Sequence, residues 1–190
     1  SLDEMIGHLR DTTIDQIVTG LTVAPTLDSA SKPEPTALEI AARGSVSDIN
    51  ARFLANGWSD GLPIIPPTRK RVEAFLGPLT NNPDRVIGSA RPSGREITLW
   101  SIAVNAVMTG CDPRHLPLLI AMAGIIGDPA YGVEHSGNTT GADALVILNG
   151  RSSADLGFNA GPGALREGAH ANTSVGRWLR LYLRNVCGFT

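Results

Sequence analysis

The stretch REITLWSIAVNAVMTGCDPRHLPLLIAMAGIIG, Arg95 to Gly127, decides how this chain folds. Its first half, Arg95 to Gly110, is apolar nearly all round, which predicts a helix buried on every side. Thr98, Ser101 and Asn105 interrupt it at i, i+3 and i+7, so they form one polar stripe. Buried polar groups need partners. The stripe therefore bonds neighbouring backbone or lines a wet cavity. Cys111-Asp112-Pro113 starts the chain again, because Asp112 suits an N-cap and Pro113 the first helical position. A second buried helix over 113–126 follows, closed by Asp128-Pro129.

Outward from this pair, ALVILNG (Ala144 to Gly150) is the clearest strand, a short apolar run ending in Asn-Gly. A glycine-rich loop from Gly157 to Asn172 leads to a last helix, TSVGRWLRLYLRN. Upstream, Thr36 to Ala55 reads as helix with a break at Gly44-Ser45, and Asp48 suits the cap of its second piece. Thr68 caps a short helix ending at Leu76, and Arg85 to Ser89 suits a short strand. This order predicts an α/β or α+β fold, two-layer, irregular and loop-rich, with buried helices 95–110 and 113–126 packed on a small sheet. The 21 glycines and 13 prolines are spread among apolar segments, and 42% of the residues are hydrophobic, which argues against disorder. Residues 1–36 read as a separate N-terminal helix and extended arm, and 37–190 as a single α/β domain or the N-terminal part of a longer product.

A second stretch stands out, NGWSDGLPIIPPT, Asn56 to Thr68. Its prolines and glycines forbid a helix or a central strand, yet it is apolar. It reads as a stiff wall, anchored by Trp58, Leu62, Ile64 and Ile65, that presents the Asp60 carboxylate.

Composition removes several classes. A formal net charge of −2 leaves no electrostatic footprint for nucleic acid. The longest apolar run, Leu116 to Ile126, is too short to span a bilayer, and no signal-peptide pattern is present, so the expected location is cytoplasmic. The two cysteines, Cys111 and Cys187, form no CxxC, and the four histidines show no ligand spacing. No metal and no cofactor are indicated.

Four places suit chemistry. In GFNAGPGALREGAHANTSVGR, Asn172, Thr173 and Ser174 open a helix whose free amides favour an anion, with Arg177 within reach of a carboxylate or phosphate; an ordinary capped helix is the plain alternative. Cys111 before a helix start has its thiolate favoured by the dipole, with His115 as base; a buried structural cysteine is the alternative. His135 after Glu134, with Asn138, Thr139 and Thr140 on the loop that follows, supplies an acid/base and hydrogen-bonding set. Asp60 joins His135 as a candidate acid/base, against the plain reading of an Asp-Gly turn.

Several segments in order resemble one bacterial family. They are GWSDGLPIIPPT with RVEAFL, AVNAVMTGCDPRHLPLLIAM, ALVILNG, and GALREGAHANTSVGRWLRLYLRNVCGF, together about two thirds of the chain. The family is the uncharacterised protein encoded beside, or fused to, selenoprotein-like proteins with a UGSC motif. The resemblance implies an α/β protein that acts with a second polypeptide, and it carries over Asp60, Cys111, Asn172 and Arg177. This chain departs from the family at Arg114 and His115, and it lacks the UGSC motif itself.

The expected function is a subunit or fragment of a cytoplasmic multi-chain small-molecule enzyme. Its reaction would be hydrolytic, hydrating or lyase-type attack at a polarised carbon, with Cys111 as nucleophile and an anionic substrate. The alternative is a non-catalytic scaffold subunit that completes the site of a catalytic partner chain. A third reading is a phosphate- or carboxylate-binding module.

Overall fold

The computed structural model describes residues 3, 6, 7, 10, 14–22, 38–135, 144–166 and 168–189. The chain divides into two compact units, Ser1–Thr36 and Ala37–Thr190. In the first, helix α1 (Ile14–Thr22) is amphipathic, but Ile14, Ile17 and Val18 are all about half exposed. The arm expected over 21–36 lies outside the described residues beyond Thr22.

The second unit is a mixed fold of helices on a small sheet. Its elements are α2 (Val46–Ala55), α3 (Arg69–Leu76), β1 (Val86–Ser89), β2 (Glu96–Thr98), α4 (Leu99–Thr109), α5 (Leu116–Ile126) and α6 (His170–Tyr182). Helix α4 is central, contacting α3, α5 and α6. Leu99, Ile102, Ala103, Ala106 and Met108 are almost fully buried, as its all-round apolar sequence predicts. The polar stripe takes the backbone-bonding option. Thr98 and Ser101 form a capping box at the α4 start, and Asn105 donates to Ser101 O at 2.9 Å.

Local boundaries differ from the sequence reading in instructive ways. Ser45 is the N-cap of α2 and Asp48 is its N3 partner in a capping box, so Asp48 reaches back instead of capping. Residues 39–43 are irregular, not helical. Thr68 caps α3 as expected. Glu96–Thr98, read as the first turn of a helix, instead pairs antiparallel with β1, Ser89 opposite Glu96. Asp112 accepts from the Arg114 amide, but Pro113–His115 is a 3-10 turn and α5 begins only at Leu116.

The largest departure is ALVILNG. Residues 144–149 form no strand and no hydrogen bond to any described residue. The segment has the composition of a strand, but no strand among the described residues pairs with it.

Where α5 ends against the sheet, space is tight. A Cβ on Gly127 would lie 2.8 Å from Ile97 Cδ1, and Ile97 is fully buried. Gly127→Ala should therefore cost about 1–2 kcal/mol through overpacking. Urea denaturation should show Ile97→Val removing part of that cost in the double variant, because the clashing methyl is then gone.

Candidate functional site

The wall expected at Asn56–Thr68 is held from several sides. The Ile64 amide donates to Asn50 Oδ1 at 2.6 Å, and the Ile65 amide to Met108 O at 3.0 Å. Ser59 Oγ donates to Leu62 O at 2.6 Å, and Trp58 packs edge-on against Phe53 with ring centroids 5.3 Å apart. Ile64 is buried and Trp58 partly so, whereas Leu62 is 59% exposed and Ile65 44%, the Ile65 Cδ1 lying against Gly110. Turn geometry explains the difference, since a loop that keeps one side on the core turns other side chains outward.

The Asp60 carboxylate faces Arg177. Arg177 Nε donates to Asp60 Oδ2 and Nη2 to Oδ1, both at 2.9 Å, and Nη2 also meets Pro63 O at 2.9 Å and Leu62 O at 3.3 Å. This is the bidentate fork that only a planar guanidinium makes. Both side chains are about four-fifths covered. The Arg177 hydrogen bonds hold the Asp60 carboxyl below the usual carboxylate range, against the opposing effect of burial. Asp60 is thus a fixed anion with both oxygens engaged, which is a poor starting point for a general base.

Helix α6 begins three residues before the expected Thr173. The Thr173 amide is already bonded to Ala169 O, so the amides of Asn172, Thr173 and Ser174 are not the free set expected. Asn172 instead clamps the glycine-rich loop. Its Oδ1 accepts from the Asn159 amide at 2.9 Å, and its Nδ2 donates to Ala164 O and Asn159 O at 3.1 and 3.2 Å. The amide side chain imitates a backbone partner, adding to the loop's own turn bonds such as Ala164 N–H to Gly161 O. Thr173 is exposed and Ser174 is buried.

Cys111 lies beside Ser174 and Thr109. Its sulfur is 3.4 Å from Thr109 Oγ1, and only 7% of the residue is exposed. Burial pushes the thiol up from its ordinary value; the Thr109 and Ser174 hydroxyls temper this, and the nearby Asp112 charge adds to it. Burial thus works against the thiolate that the dipole was expected to favour. Cys187 is buried too, its thiol pushed up to about 11, and neither cysteine is in a disulfide.

His115 does not reach Cys111 by any hydrogen bond. It is a core histidine, 1% exposed, with Nε2 at 3.1 Å from Leu156 O and its ring 5.5 Å from that of Phe158. His135 sits exposed in the turn Val133–His135, and no hydrogen bond among the described residues joins its side chain to Asp60 or Cys111. Asn138, Thr139 and Thr140 lie outside the described residues. Among the described residues no group of His, Cys, Asp and Glu gathers as a metal site would, and no helix is long and apolar enough to cross a membrane.

Two features were not read from the sequence. One is the end of α6, which continues as a π-helical turn, Leu183–Cys187. Its carbonyls are taken up by the loop before β2: Ser93 Oγ donates to Val186 O at 2.6 Å and Arg95 Nη1 to Asn185 O at 2.7 Å. Asn185 Nδ2 in turn bonds Asn105 Oδ1 at 2.9 Å and Trp58 O at 3.2 Å, tying the helix to the wall. The other is an open groove of about 330 Å³ along this half of α6. Leu179, Leu183 and Phe189 line it with Asp60, Arg180 and Arg184, and Ala144 is among its walls. Its size suits a small ligand. In the sequence, Arg177, Arg180 and Arg184 fall at i, i+3 and i+7, which places them along one side of this helix.

Comparison of the chain with protein-family models, curated proteins and solved structures gives no match.

Proposed function

We propose that this chain is the non-catalytic subunit of a cytoplasmic multi-chain small-molecule enzyme, supplying one wall of a site that a partner chain completes. The observation that carries this reading is the state of Cys111. The one candidate nucleophile with support from both motif and position is buried, with its thiol held above its ordinary pKa. A nucleophile must be reachable and must ionise or meet a base, and Cys111 meets neither condition. Asp60 is likewise committed to Arg177. What the chain does offer is the groove beside α6, open on one side and lined by Leu179, Leu183 and Phe189 with Asp60, Arg180 and Arg184. Attack at a polarised carbon, whether hydrolytic, hydrating or lyase-type, would use a nucleophile or base from the partner. The resemblance to proteins that act with a second polypeptide supports the same division of labour.

Thiol labelling of the isolated chain tests this. With iodoacetamide at pH 7.5, Cys111 should alkylate at least about tenfold more slowly in the folded chain than in denaturant, as read by peptide mass spectrometry. Labelling of Cys111 faster than a free cysteine, at a site distinct from Cys187, would return the nucleophile to this chain.

A further inference from the structure

We propose that Asn149 is a site of spontaneous covalent modification in the folded chain. There the Gly150 amide closes a succinimide ring, which opens to aspartate and isoaspartate. The chain holds three pairs of the kind that forms such rings, Asn56-Gly57, Asp60-Gly61 and Asn149-Gly150. Glycine in the second position lets its nitrogen approach the side chain, because no Cβ stands in the way. By sequence the two Asn-Gly pairs are equivalent. The fold separates them.

Asn56-Gly57 is held away from the reaction. Asn56 ends α2 with φ −90° and ψ 1°, near-helical values that turn the Gly57 nitrogen away from the Asn56 side chain. The Gly57 amide is also engaged, donating to Leu54 O at 3.1 Å, and the Asn56 amide donates to Arg52 O at 3.0 Å. A bonded amide must first open before it can attack. Accessibility is not the difference, since Asn56 and Gly57 are both exposed. Asp60-Gly61 is blocked in another way. A carboxyl closes this ring as the neutral acid, whereas Arg177 grips both Asp60 oxygens at 2.9 Å and keeps the group an anion.

Asn149-Gly150 carries neither restraint. Residues 144–149 have no regular secondary structure, and Asn149 and Gly150 are both exposed. Gly150 lies at φ +103°, and its amide donates to no group among the described residues. Its carbonyl, in contrast, is fixed, accepting from the Ser153 amide at 3.3 Å and from Ser153 Oγ at 2.9 Å. Asn149 can therefore turn onto the Gly150 nitrogen without disturbing the turn that follows.

The atoms balance without any oxidant. The Gly150 nitrogen bonds to Asn149 Cγ and loses its proton, the Cγ–Nδ2 bond breaks, and ammonia leaves. Water then opens the ring. Opening at Cγ gives aspartate, and opening at the main-chain carbonyl gives isoaspartate, which routes the backbone through the side chain. Either product puts a new carboxylate two residues before Arg151. Isoaspartate also adds one methylene to the path between the apolar run and the Ser153 turn. Exposed on an irregular segment, it is the substrate chemistry of an isoaspartyl carboxyl methyltransferase.

Ageing the full chain at pH 8 and 37 °C, folded and in guanidinium, tests this by peptide mass spectrometry. In the folded chain the Asn149 peptide should gain about 1 Da at least about tenfold faster than the Asn56 peptide. In denaturant, where the Gly57 amide is released, the two rates should agree within about threefold. Asn149→Gln would need a larger ring and should abolish the gain, with its urea midpoint at the wild-type value. Methyl transfer from S-adenosylmethionine by an isoaspartyl methyltransferase should grow with the mass gain and vanish in Asn149→Gln. The proposal is overturned if the folded-state ratio is smaller than stated or persists unchanged in denaturant, since the fold then selects nothing. Mass gain without methyl acceptance overturns the isoaspartate product.

Discussion

Trp178→Ala is expected to lose about 3–5 kcal/mol of folding free energy, the range for removing a large aromatic ring from a packed core. Trp178 is fully buried, stacks on Tyr182 with ring centroids 4.7 Å apart, and donates from Nε1 to Ile102 O at 3.1 Å. It therefore joins α6 to the middle of α4 by both packing and a hydrogen bond. Domains of this size hold only about 5–15 kcal/mol in total, so the variant should sit close to its unfolding threshold at 37 °C. Trp178→Phe keeps most of the area and loses the hydrogen bond, and should cost about 1–2 kcal/mol. Urea midpoints followed by far-UV circular dichroism would separate the two. Equal losses in both variants would show that packing area is not what matters here.

Arg177→Ala comes next, at about 2–4 kcal/mol. Breaking a fully buried ion pair costs roughly 3–5 kcal/mol because one charge is left stranded; residual exposure of about a fifth reduces that figure. Arg177→Lys should recover little, since an ammonium cannot span both Asp60 oxygens and the Pro63 carbonyl. The pair also sets a pH dependence. The folded pKa of Asp60 lies below its unfolded value, so its contribution is fully present above about pH 4. It is lost as pH falls through the lower folded pKa. The gap in stability between wild type and Arg177→Ala should therefore narrow between about pH 4 and pH 2. A gap that stays constant down to pH 2 would mean that Asp60 is not the partner that matters.

How far the sequence could be read depended on the range of the interaction. Local chemistry was legible. Thr68 caps its helix, the Leu99–Thr109 core helix follows from its all-round apolar pattern, and Val86–Ser89 is a strand. Boundaries failed where three-residue effects decide them, as when Glu96–Thr98 leaves the helix to pair with β1, a strand too short to show alternation. The candidate site was legible only as a set of residue types. Asp60 and Arg177 both stood out, but nothing in a single sequence says that residues 117 positions apart share a fork of hydrogen bonds. Asn172 was noticed for its place near a helix start, whereas its work is to tether Asn159 and Ala164. The Cys111 expectation could not weigh burial, which acts against the thiolate and is set by packing between distant segments.

The position of α6 in the chain has a consequence for synthesis. Its Arg177 and Trp178 side chains grip the wall at Asp60 and the core at Ile102, and the Asn185 carbonyl of the turn that follows accepts from Arg95, each partner made at least 76 residues earlier. At roughly 5–20 residues per second, the 117 residues from Asp60 to Arg177 take about 6–23 s to translate. The 76 residues from Ile102 to Trp178 take about 4–15 s on the same scale, and through that shorter interval one flank of α4 waits uncovered. Such long-range closure is slow and leaves apolar surface open to aggregation. The ribosome-bound chain up to about residue 165 is thus the state in which a chaperone should bind it most tightly, and the arrival of Trp178 is the event that should release it.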